Sequence, residues 1–207
     1  MGFQPRQPGE TSKKIVGDVM SSFGYLRRQK ISNAALGTAT LVHADITLLT
    51  TVQDITAGIT NPGVPRILSI KGTKAGGSLT GNVVLTGTNI RGEAISETIA
   101  LNNDTEVFGL KAFKTLTNIH LPVRATAGDV VSIGAGDALG LDRCMAGDEV
   151  VLMTAGGVYE ATRPTVTASA TDVSLNTVNP NSSLDGAVDF VVVYVSTEKT
   201  NKIGSTV

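Results

Sequence analysis

Glu93-Ala-Ile-Ser-Glu-Thr-Ile-Ala-Leu101 decides the fold class. Ala94, Ser96, Thr98 and Ala100 alternate with Ile95, Glu97, Ile99 and Leu101, a period of two that sends successive side chains to opposite faces of a strand. Immediately before it, Thr88-Asn-Ile-Arg-Gly92 offers residues that tolerate the positive φ of a short hairpin loop. Residues 81–87 supply the partner strand. Lys74-Ala-Gly-Gly77 is read as a similar hairpin connection from a strand at 66–72.

Working outward, Val42, Ala44, Ile46 and Leu48 alternate with His43, Asp45 and Thr47, so 41–48 reads as a half-buried strand. Further strands are expected at 114–122, 130–134, 149–154, 157–161, 166–170 and 187–196. Composition agrees: 26 Thr, 23 Val and 13 Ile make up about 30% of the 207 residues, with 23 Gly for turns. Ten short strands without a fixed sequence repeat predict an all-β chain, an antiparallel β-sandwich or partly closed barrel, and argue against a solenoid or propeller.

The ends differ from the middle. Residues 1–39 read as an extended basic N-terminal arm and 40–207 as the β-sandwich body. Pro5, Pro8 and Gly9 favour extended chain, and from Ser12 onward Ile15, Val16, Val19, Met20, Phe23 and Leu26 have the spacing of a short amphipathic helix, weakened by Gly17 and Gly24. Residues 1–30 carry Arg6, Lys13, Lys14, Arg27, Arg28 and Lys30 against Glu10 and Asp18, a balance of +4, leaving −5 for the remainder. A basic arm on an acidic body is attracted to neighbouring copies or to another acidic partner; a solvated tail is the bland alternative. The expected docking residues are Ile15, Val19, Phe23 and Leu26, steered by Arg27, Arg28 and Lys30. In the last strand, Val188, Phe190, Val192 and Tyr194 oppose Asp189, Val191, Val193 and Val195. The Phe190 face is expected to fill the core. Val191 and Val193 are expected to be covered by a packed segment or a neighbouring subunit.

Equipment for chemistry is sparse. The chain has no Trp, two His and one Cys, so neither an intramolecular disulfide nor a multi-Cys metal site can form. His43 and His120 have no nucleophile in a recognisable setting, and Cys144 beside Arg143 reads as a buried, inert thiol rather than an activated one. Asp137, Asp142, Asp148 and Glu149 gather oxygen ligands but lack the alternation of a calcium loop, so acidic turns are the preferred reading. Gly72-Thr-Lys-Ala-Gly-Gly77 lacks the phosphate-loop spacing. The expectation is therefore a protein that is not an enzyme, with no cofactor and no metal. A net charge of −1 argues against broad nucleic-acid binding, and no run of about 18 apolar residues suggests a membrane span. The first residues show neither a signal-peptide core nor a myristoylation signal.

Several stretches resemble a family of small β-rich structural proteins of tailed bacteriophages. They are Ile59-Thr-Asn-Pro-Gly-Val-Pro-Arg66, Ile70-Lys-Gly72, Gly87-Thr-Asn89, Glu93 to Asn102, Lys111-Ala-Phe-Lys114, Ile119-His-Leu-Pro122, Gly128-Asp129, Gly136 to Leu141 and Leu184 to Tyr194. The resemblance covers about residues 40–196 and leaves the arm outside it. It implies a virion structural protein made in the host cytoplasm, first of all a capsid decoration (cement) protein on the capsid exterior. Its implied partners are the major capsid protein and other copies of the same chain, as a homo-oligomer. A tail or baseplate protein with a host-glycan-binding role is the alternative.

Overall fold

A computed structural model describes residues 24–198. Over these residues the chain is all-β and antiparallel. In order the strands are β1 (Tyr25–Ile31), β2 (His43–Thr47), β3 (Gln53–Ile55), β4 (Arg66–Thr73), β5 (Asn82–Thr88), β6 (Ala94–Ala100) and β7 (Glu106–Phe113). They continue as β8 (Thr115–Leu121), β9 (Val130–Gly140), β10 (Val150–Ala155), β11 (Val158–Tyr159), β12 (Thr165–Thr167), β13 (Thr177–Asn179) and β14 (Phe190–Ser196), with a 3-10 turn at Val173–Leu175. No helix among the described residues is long and apolar enough to cross a membrane.

Three sheets form. One has the order β3-β8-β5-β6, a second runs β12-β13-β9-β4-β7 with β2 also paired to β9, and a third runs β1-β14-β10-β11. The eleven-residue β9 is common to two cores. Its first half sends Val131, Ile133 and Ala135 into a core with Leu68, Ile70, Val83, Leu85, Phe113 and Ile119. Its end sends Leu139, followed by Leu141, into a second core with Val178, Met153, Phe190, Val192 and Tyr194.

The hairpin at the centre of the sequence reading forms as expected. Glu97 pairs with Leu85 and Ile99 with Val83. In the loop, the Asn89 side-chain oxygen accepts the amides of Arg91 (2.9 Å) and Glu93 (3.1 Å), and Gly92 takes φ +81°, a conformation a β-carbon opposes. Residues 74–77 do not form a hairpin, because β4 and β5 belong to different sheets. That segment crosses between layers.

The expected arm needs a larger correction. Residues 12–23 of the expected helix lie outside the described residues, but its last part is strand: β1 pairs along its whole length with β14, from Tyr25 opposite Ser196 to Ile31 opposite Phe190. Residues 32–39 are also fastened to the body. Ala34 is buried and its carbonyl accepts the Gly186 amide (3.1 Å). The Ala35 carbonyl accepts from buried Arg66 (2.8 Å), and Gly37 donates to Asp137 (2.7 Å). The body therefore begins by Gly24, not at residue 40.

Burial in β14 alternates strictly: Phe190, Val192, Tyr194 and Ser196 are buried, while Val191, Val193 and Val195 are half-buried on the other side. Val192→Asp would put an unpaired charge in the second core, at a cost of several kcal/mol against a net stability of about 5–15 kcal/mol. We expect no soluble folded protein from it. Val193→Asp should fold, with a loss below about 1.5 kcal/mol; circular dichroism and thermal unfolding of the two variants check the assignment of faces.

Candidate interaction surface

β1 is rich in charge, and its charges are divided by the strand period. Arg27, Gln29 and Ile31 turn inward, while Leu26, Arg28 and Lys30 turn outward. The Arg27 guanidinium forks onto Asp142, with Nε donating to Oδ1 at 3.2 Å and Nη2 to Oδ2. The hydroxyl of fully buried Tyr194 donates to the same Oδ1 at 2.6 Å. Gln29 completes the lock: its Nε2 donates to the Gly140 carbonyl (3.1 Å), and its Oε1 accepts the Asp142 amide (2.8 Å).

The titration behaviour follows from this geometry. Hydrogen bonding to Asp142 holds the Arg27 proton more tightly than usual. Burial pushes the Asp142 carboxyl up, but the hydrogen bonds from Arg27 and Tyr194 outweigh it, and the net shift is downward. Burial, reinforced by Asp142, pushes the Tyr194 phenol upward. Both partners of the ion pair are thus held charged at neutral pH.

These contacts show where four of the expected docking residues lie. Ile15, Val19 and Phe23 lie outside the described residues. Arg27 is committed to Asp142, and Lys30 reaches Asp189 at 2.7 Å. Arg28 is exposed, and Leu26 is 69% exposed on the outer face of the sheet. Cross-strand pairing there sets Leu26 beside Val195, Arg28 beside Val193, and Lys30 beside Val191. On the other side of β14, Leu152 pairs with Val193 and Thr154 with Val191, and Thr154 in turn pairs with Tyr159, 71% exposed. The result is a sheet face whose centre is apolar.

A second group of outward apolar side chains, Leu49, Val52 and Val123, lies at one end of the β3–β8 pair. The Arg124 amide donates to the Leu49 carbonyl (2.8 Å), and the Leu49 amide donates to the Gln53 side chain (3.0 Å), which fixes the two loops together. The sequence offered no signal for this cluster, since it depends on which loops meet.

The other candidates have structural partners. Asp137 lies in β9, not in a turn, and pairs with Arg66 at 3.1 Å; Asp148 pairs with Arg163 at 2.8 Å. Among the described residues no group of three or more His, Cys, Asp or Glu is placed to hold a metal. In the glycine-rich 72–77 segment, the Lys74 amide donates to Asp104 (2.8 Å) and the Ala75 amide to Asp129 (2.9 Å), so those donors face carboxylates. The amides of Thr126, Ala75 and Ala125 hold the Asp129 carboxyl below its usual range. His120 bonds Asp54 at 2.9 Å, and His43 Nδ1 lies 2.6 Å from the Ala44 carbonyl. Cys144 is buried, and burial together with neighbouring Glu198 pushes its thiol up to about 11.

Comparison with protein-family models, with curated proteins and with solved structures finds no match to this chain.

Asp142→Asn keeps the volume and removes the charge that Arg27 and Tyr194 address. Charge-assisted bonds of this kind contribute about 1–3 kcal/mol, and the variant should be less stable by that order at neutral pH. Because folding depresses the Asp142 pKa, its contribution is complete above the ordinary carboxylate range and is lost as pH falls through the folded value. The gap in melting temperature between wild type and variant should therefore narrow in acid. A gap that stays constant from about pH 7 to about pH 3 would contradict the assignment.

Proposed function

We propose that the chain is a bacteriophage virion structural protein that decorates the outer head shell and stabilises it by bridging capsid subunits, with the major capsid protein and further copies of itself as partners. The motifs quoted from residues 40–196 motivate the family. The observation that carries the reading is the cluster of Leu49, Val52 and Val123, held outward on loops that are hydrogen-bonded to one another. Apolar side chains on a pre-ordered backbone bind a surface without first paying to order it. A cement role needs that rigidity and a docking surface, and it needs no catalytic group. Association of copies would further cover the edges of the small sheets.

A tail or baseplate station is the alternative, with one observation in its favour. Exposed Tyr159 lines a surface depression together with Leu152, Arg163 and Pro164, where an aromatic ring can stack on a sugar.

Electron microscopy of particles carrying a labelled chain tests the station. Label over the head shell is expected, and label confined to the tail would reject the decoration reading. Val52→Asp should leave the melting temperature within about 2 °C of wild type while lowering head occupancy about tenfold or more. Undiminished occupancy would remove the Leu49/Val52/Val123 cluster from the docking surface.

A further inference from the structure

The outer face of the β1-β14-β10-β11 sheet carries more apolar surface than a strand facing water needs. Leu26, Val191, Val193, Val195, Leu152 and Tyr159 lie on it, interrupted by Arg28, Lys30 and Thr154. We propose that this face is the docking site of residues 12–23 of the same chain. The inference does not rest on the decoration reading, and an occupied face would cover the Leu152 and Tyr159 side chains that the tail alternative uses.

Three observations name this occupant. First is where the chain outside the described residues ends. Gly24 joins it to β1 beside Ser196, at the same corner of the face as the Leu26/Val195 pair. Phe23 is only three residues from Leu26 in sequence. Gly24 takes φ +74°, and a β-carbon there would come within 2.4 Å of the Ser196 carbonyl oxygen, so a conformation reserved for glycine turns the chain at the entry to the sheet.

Second is reach. From the Leu26/Val195 row to the Lys30/Val191 row is four residues, about 13 Å, and four strands span about 14 Å. Twelve residues cover about 18 Å as helix and about twice that extended, so the segment crosses the face in either form. Third is content: Ile15, Val16, Val19, Met20 and Phe23 give the segment an apolar side but too few residues for a core of its own. A tether of this length holds it at an effective concentration on the order of millimolar, so docking on its own sheet needs no second molecule.

The test uses the full-length chain with a reporter thiol at the centre of the face, Val193→Cys, and measures its labelling by a maleimide under native conditions. The parent chain, whose Cys144 is buried, provides the background rate. Adding Ile15→Asp and Val19→Asp should accelerate labelling at position 193 about tenfold or more. The slow rate of the single variant should not change over about a hundredfold dilution. Arg28→Cys, on the same face, serves as reporter if Val193→Cys does not fold. Equal rates with and without the two aspartates would overturn the proposal. Protection that disappears on dilution would overturn it in favour of a second copy, and protection removed only by deleting residues 199–207 would assign the face to the C-terminal segment.

Discussion

Asp142 is the point where the second half of the fold is tied together. Its carboxylate receives Arg27 from β1 and Tyr194 from β14, and its amide is held by Gln29. A carboxylate in that position is tolerable only with a cation opposite it, because a half-buried charge left alone is expensive. The cation comes from the beginning of the chain and the phenol from near its end. Among the described residues the first and last strands, already paired backbone to backbone, are thus also joined through a residue that follows β9.

The long strand β9 carries the constraint into the rest of the molecule. Its first half belongs to one core and its end to the other, so the two cores cannot move apart without breaking its ladders with β2, β4 and β13. Arg66, in β4, spans this ladder from beneath the loop after β1. It donates to the Gly136 carbonyl at 2.6 Å, which would otherwise be buried alone, and to the Ala35 carbonyl at 2.8 Å. Where the other two sheets approach, Glu97 of β6 accepts the Leu110 amide (2.6 Å) at the irregular centre of β7. Polar side chains thus close seams that backbone pairing leaves open. The body presents its apolar clusters on a backbone that is already ordered, which is what a surface-binding role requires.

How much of this was legible follows from local pattern. β4, β5, β6 and β14 alternate apolar and polar or lie in β-branched runs, and the sequence reading located each to within a few residues. β1 was misread because Tyr-Leu-Arg-Arg-Gln-Lys-Ile has cations on both faces. Only the distant Asp142 makes an inward Arg27 acceptable, and no local pattern reveals a partner 115 positions away. β7 was missed because Gly109 and an irregular register break its alternation. The second half of β9 was read as an acidic turn, since Gly136-Asp-Ala-Leu-Gly140 has turn-like composition; pairing with β4 and β13 overrides it. Three-residue strands such as β3 and β13 exist only through their partners. Of the surface residues, Val191 and Val193 were correctly placed opposite the core face, because a period of two is a local property. Leu49, Val52 and Val123 come from loops whose meeting is a tertiary event.

The central claim is that the chain from Tyr25 onward is an integral strand that completes the third sheet and creates its outer face. Amide hydrogen exchange resolved by residue measures this directly. If β1 is locked by Arg27 and Gln29, its amides paired with β14 should exchange only through the opening that frees β14 itself, with matching protection in the two strands. Exchange in β1 at the rate of an unstructured peptide, while β14 remains protected, would show that the strand is a detachable arm and would contradict the account.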